Sequence, residues 1–395
     1  MTPKEAIQRI ESTLTALVME ARLEKNMGLL GGYSGLSLFY YANYLLSGSE
    51  QNLRLVEDIV SDSLAALDQL GPNPYFCNGL AGLAYLIHFF KENGLLDLDT
   101  ETVSQLDDIT YHLSKSYEQA LSVNNHDFLH GGEGLWLYLT AAGGGTRVSE
   151  TYLNRLNHTK QRIPNKGIAW KSNISYEGAN RLVYNLGLAH GMASTLLVLG
   201  KILKADAPST KALARDLLNG AVEFFLSEEL VEGFGCGFPN YSSLDEPPRR
   251  SRLGWCYGDP GICVALWNAG DALQDRDIKQ RATDLCVRTT KRKTKEETGI
   301  LDAGVCHGSA GLSHIYRRMH ELTDAHALGE AADYWLKETL TLAAFEDGWA
   351  GYKTWSAYGY RNDASLLDGI AGIGLVLISS QIEQLPAWDA SLLLR

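Results

Sequence analysis

No apolar run in the 395-residue chain approaches the roughly 18 residues needed to cross a bilayer. Its start, Met1-Thr2-Pro3-Lys4-Glu5-Ala6, opens an amphipathic helix and lacks the apolar centre of a signal peptide. Basic charge is short as well: 35 Lys and Arg stand against 47 Asp and Glu, a net charge of −12 spread along the chain. A nucleic-acid partner, which needs a basic face to neutralise phosphates, is excluded on that ground. Cysteine is scarce, with six residues. The expected location is the reducing cytoplasm, free or held to a membrane through a larger complex, where thiols serve as core residues or metal ligands.

What the chain has is glycine, arranged in a repeat. G-x-x-G or a close variant precedes an apolar run seven times: Gly32 to Gly35, Gly79 to Gly82, Gly131 to Gly134, Gly191 to Ser194, Gly258 to Gly261, Gly308 to Gly311 and Gly369 to Gly372. The first glycines lie 47 to 67 residues apart, enough for two helices and their connections. The run after each turn is apolar almost all round, as in Leu135-Trp136-Leu137-Tyr138-Leu139, and predicts a helix buried on several sides. Between the runs lie stripes at helical spacing: Ala6, Ile7, Ile10, Leu14, Leu17 and Val18 in one, and Leu213, Leu217, Leu218, Val222 and Phe225 in another. Length alone suggests two domains. Seven alternating pairs suggest instead a single all-α domain over residues 1–395. That domain would be either a closed ring of seven inner and seven outer helices or an open solenoid. Residues 161–185, 231–255 and 345–366 break the pattern and are expected to be irregular or β-like insertions.

Two turns carry soft donors. Trp255-Cys256-Tyr257-Gly258 and Val305-Cys306-His307-Gly308 together offer two thiolates and an imidazole, three ligands for one zinc with a fourth position open. The other turns allow a comparison. Cys77 stands where Cys256 and Cys306 stand, and His130 and His190 stand where His307 stands. Cys77 is read as structural, Cys263 and Cys286 as core residues inside apolar runs, and Cys236 stays unassigned. His190 is either an acid or base near neutrality or a capping histidine. Asp127 either orients His190, carries a proton or caps the helix that follows its turn. Arg252, four residues before Cys256, either sets a positive charge beside the metal or makes a surface ion pair.

Arg252-Leu253-Gly254-Trp255-Cys256-Tyr257-Gly258-Asp259-Pro260-Gly261, Cys306-His307-Gly308 and Leu188-Ala189-His190-Gly191 resemble the motifs of the LanC-type lanthionine synthetases. The seven turns extend the resemblance over essentially the whole chain. It implies an α/α toroid, one zinc on Cys256, Cys306 and His307 with water or a substrate thiol as fourth ligand, and roles in the reaction for His190, Asp127 and Arg252. Asp127 precedes Gly131-Gly132-Glu133-Gly134, a loose version of the turn.

The implied activity is ring closure in a lantibiotic-type precursor, a Michael addition of cysteine thiols to dehydroalanine or dehydrobutyrine that makes lanthionine thioethers. The expected partners are a dehydrated precursor peptide, a separate dehydratase and an export transporter. Two rival readings remain: a LanC-like enzyme that adds glutathione to dehydrated residues, and a zinc-stabilised scaffold that only binds a peptide. A sugar-processing toroid would need paired rim carboxylates and no metal.

Overall fold

The computed structural model of the protein describes residues 1–24, 26–65, 73–176, 179–205, 207–231, 235–243 and 247–395. Residues 177–178, 232–234 and 244–246 of the expected insertions lie outside the described residues. Each glycine turn leads into a helix: Leu36–Ser47, Leu80–Glu92, Gly132–Leu139, Met192–Lys204, Asp259–Leu273, Ser309–Thr323 and Ile370–Ser379. The all-round apolar pattern is matched by burial; every residue from Ile370 to Ile378 is buried. Alternating with them are Pro3–Met19, Glu50–Ala65, Thr100–Ser122, Gly145–Thr159, Pro208–Ser227, Arg276–Thr289 and His326–Thr341. These bury one stripe only, such as Ala6, Ile7, Ile10, Leu14 and Leu17 in the first. Thr2 and Glu5 close that helix's N-terminus with a reciprocal capping box. No helix among the described residues is long and apolar enough to cross a membrane.

The chain divides into two compact units. One comprises Met1–Thr110, Ile300–Arg318 and Gly329–Arg395; the other comprises Tyr111–Gly299 and Met319–Leu328. Within each, successive turns are tied backbone to backbone. In the first unit, Cys306 N–H donates to Leu367 O, Leu367 N–H to Leu30 O and Leu30 N–H to Cys77 O, at 2.9, 2.8 and 3.0 Å. In the second, Leu129 N–H donates to Ala189 O and Leu188 N–H to Cys256 O, at 3.4 and 2.9 Å. The closing glycine makes this packing possible. A Cβ on Gly311 would stand 1.8 Å from the Val305 carbonyl oxygen, six residues back, where no side chain fits.

The three insertions carry short antiparallel strands. Gln161–Ile163 pairs with Gly167–Ala169, and Ser172–Tyr176 with Ala179–Asn185, which also pairs with Tyr241–Ser242. Thr354–Ser356 pairs with Gly359–Arg361 in the first unit.

The loose third turn buries a carboxylate. Glu133 Oε1 accepts hydrogen bonds from Tyr152 and Thr195 hydroxyls at 2.5 and 2.6 Å, while Oε2 makes no hydrogen bond that meets normal geometry among the described residues. Burial, opposed only in part by these bonds, pushes the Glu133 carboxyl up to about 7. A carboxyl raised on folding stabilises the fold fully below its unfolded value and loses that contribution as pH rises through the folded value. Between pH 4.5 and about 7, wild-type stability should therefore fall by on the order of 3 kcal/mol relative to Glu133→Gln, read by urea melts across pH. Parallel pH profiles for the two proteins would remove Glu133 as the cause.

Candidate active site

In the second unit the third, fourth and fifth turns converge around one histidine. His190 Nδ1 lies 2.7 Å from Asp127 Oδ2. The other oxygen of Asp127 accepts the His130 backbone N–H at 2.7 Å, so this aspartate both ties down its own loop and orients His190. Asn125 steadies the loop by donating from its side chain to the His130 carbonyl at 2.8 Å. The geometry leaves Nε2 as the His190 nitrogen turned away from the carboxylate.

Burial draws the His190 imidazole down, but the hydrogen bond and charge of Asp127, with a further contribution from Cys256, outweigh it and the net shift is upward. His130 moves the other way, lowered by burial and by the neighbouring His190 against the pull of Asp127. The two rings lie parallel, 7° apart in plane, with centroids 5.8 Å apart. Tyr257 closes another side: its ring centroid is 6.1 Å from that of His190, and its hydroxyl accepts from Asn185 at 3.0 Å. Tyr257 and His130 are neighbours of His190 that pattern reading did not pick out; Tyr257 stood in plain view between Cys256 and Gly258.

The segment from Ser251 to Gly258 is braced from below. Arg292 donates to the Ser251 carbonyl at 2.6 Å and to Asp259 at 3.1 Å. Asp259 in turn accepts the backbone N–H groups of Gly237 and Phe238. Gly258 sits at φ 112°, where its missing Cβ would strike the Arg252 carbonyl at 1.9 Å. Arg252 itself is exposed and makes no hydrogen bond or ion pair among the described residues. It is the one candidate residue of this unit not tied to the Asp127–His190 pair.

In the first unit, Cys306 and His307 precede the sixth turn, with Asp302 behind them. Asp302 is buried, and its oxygens accept the N–H groups of Gly304 and Trp355 at 3.0 and 2.8 Å. Its Oδ2 stands 3.7 Å from His307 Nε2. A carboxylate standing behind the ring in this way is an arrangement common to metal-binding histidines.

Cys256, Cys306 and His307 form one of two groups among the described residues able to hold a metal ion; Asp127, His130 and His190 form the other. Two thiols and one imidazole suit zinc. None of the six cysteines forms a disulfide. Cys263 and Cys286 are fully buried, and Cys77 belongs to neither metal-capable group.

Residues 24–393 match the family described as lanthionine synthetase C-like protein. The chain belongs to that family. Among solved structures, nisin cyclase is similar to this lanthionine synthetase C-like chain with a TM-score of 0.77 and 19% sequence identity, covering 98% of this chain and 97% of that one. At that likeness the fold is shared, so the helix pairs follow the closed α/α toroid and not the open solenoid. Pattern reading missed Asp302 because an aspartate four residues before a cysteine carries no signal by itself. Replacing it with Asn should weaken metal binding by the Cys256, Cys306 and His307 group about 10- to 100-fold in chelator competition. Thermal unfolding measured alongside reports any loosening of the loop, and unchanged affinity would leave Asp302 a loop anchor only.

Proposed function

We propose that this family member is a zinc-dependent peptide cyclase that closes lanthionine and methyllanthionine rings in a dehydrated precursor peptide. The observation that carries the reading is the His190–Asp127 pair at 2.7 Å, on the turn whose backbone is bonded to Cys256. Family membership over nearly the whole chain supports the same chemistry. Zinc held by Cys256, Cys306 and His307 would supply Lewis acidity that lowers the pKa of a substrate thiol, so that its thiolate exists at neutral pH.

The rest falls to the protein's own side chains. The thiolate sulfur bonds to the β-carbon of a dehydroalanine or dehydrobutyrine, and the alkene electron pair moves onto the adjoining amide as an enolate. His190 donates a proton from Nε2 to the α-carbon, and the thiol's proton leaves to solvent, from which His190 is recharged. Asp127 holds the ring in the orientation that points Nε2 at the substrate and stabilises its protonated form. Arg252, exposed and unpaired among the described residues, is assigned to the charge of the developing enolate. No atoms are gained or lost, so the product has the substrate's mass. A separate dehydratase supplies the substrate in this reading, an export transporter removes the product, and the reduced thiols fit a cytoplasmic setting.

Incubation with a dehydrated precursor should abolish alkylation of its cysteines without changing its mass. His190→Asn should slow that loss at least about 100-fold while the one zinc of the cysteine-containing group stays bound. Full-rate cyclisation by the variant would remove His190 as the acid. A mass gain equal to glutathione would select thiol addition, and no change of either kind would select a binding scaffold.

A further inference from the structure

Two histidines and one carboxylate meet in the second unit with no cysteine among them. Asp127, His130 and His190 present one donor atom each, all within 4.8 Å of one another. Asp127 Oδ2 lies 2.7 Å from His190 Nδ1, and Asp127 Oδ1 lies 4.0 Å from His130 Nδ1. Donors held at about 2.0–2.1 Å around one tetrahedral ion stand about 3.3 Å apart, so a set of three already within 4.8 Å needs only a small closure. Closing on an ion requires His130 to turn, because its ring now lies parallel to that of His190. With 43% of its side chain exposed, it has room to do so.

We propose that Asp127, His130 and His190 form a second, weaker site for a divalent transition metal such as Zn2+, and that filling it inhibits the enzyme. Two imidazoles and a carboxylate make a harder donor set than two thiolates and an imidazole, so the cysteine-containing group fills first. When an ion enters, His190 Nδ1 releases its proton to solvent and gives its lone pair to the metal. Asp127 turns its charge from the imidazole to the ion. His190 can then no longer be held as a protonated acid. The inhibition rests on the proton-donor role proposed above; the binding site does not.

The test is a Co2+ and Zn2+ titration of metal-stripped protein, followed by absorption and calorimetry without peptide. The first equivalent of Co2+ should bring a thiolate charge-transfer band. A second, binding at least about tenfold more weakly, should add only the ligand-field bands of nitrogen and oxygen donors. His130→Gln should keep the first equivalent, which also reports that it is folded, and lose the second. In the wild type, histidine side-chain NMR should move the signals of His130 and His190 together as the second equivalent binds. With peptide, excess Zn2+ should slow wild-type cyclisation but not that of His130→Gln, each compared with its own one-zinc rate. A single equivalent up to about 1 mM free metal, or a second that survives His130→Gln, would overturn the site. Two equivalents without any cyclisation would keep the site and overturn the cyclase reading instead.

Discussion

A backbone carbonyl occupies the space where the closing glycine of a turn would carry its side chain. The gap is 1.8 to 2.5 Å in the first, second, fifth, sixth and seventh turns, always to the residue six positions earlier. In those five turns a side chain at the closing position would force the turn open, whereas the fourth turn closes with the buried Ser194. Held tight, a turn can offer its backbone to the next one. The Cys256 carbonyl shows the result: it accepts both the Leu188 and the Ala189 N–H groups, at 2.9 and 3.3 Å. The cysteine's main chain is thereby pinned by the residues just before His190. The fifth turn, closed in this way, is the one that holds the His190 segment, and the third turn meets that segment through Leu129 N–H, which brings Asp127 and His190 to bonding distance.

Much of this was legible in the residues because a repeat leaves a regular mark. Seven glycine signatures predicted seven buried helices, and each is present at its expected place. The amphipathic stripes were legible for the same reason, with small slips: Leu213 is only half-buried, and Ala214 takes the covered position. The Asp127–His190 pair was a pairing of two turns, and the backbone bonding of the third turn to the fourth brings it about. Of the alternatives for Asp127, the helix cap is not what is found: the following helix has Gly131 at its N-cap with no side-chain bond, and Asp127 instead holds the His130 N–H of its loop with one oxygen and the His190 ring with the other.

What was not legible is what depends on aim. His130 stood in the same slot as His190 and His307, and spacing gave it no role of its own. Only the side-chain directions make it a neighbour of the catalytic candidate. Arg252 sits four residues from Cys256 in sequence, yet nothing in spacing tells whether its long side chain folds back or reaches into water. Here it is exposed. The brace formed by Arg292 and Asp259 is equally invisible, because it joins residues 33 positions apart that share no motif.

Asp127 and Asp302 use one device at two distances. Each spends an oxygen on a nearby backbone N–H, of His130 in one case and Gly304 in the other, which fixes the carboxylate before it meets a histidine. Asp127 reaches His190 at 2.7 Å, a full charge-assisted hydrogen bond. Asp302 stops 3.7 Å short of His307, and its second oxygen is already engaged by Trp355 from the inserted hairpin. The difference fits the two tasks proposed for these histidines. An imidazole that must carry a proton gains from a strong bond that stabilises its charged form. One that must stay neutral to hold a metal needs orientation with less pull on its proton. The hairpin that begins at Thr354 looks like decoration on a repeat, but it competes for the Asp302 carboxylate and so helps set how strongly that carboxylate acts on His307.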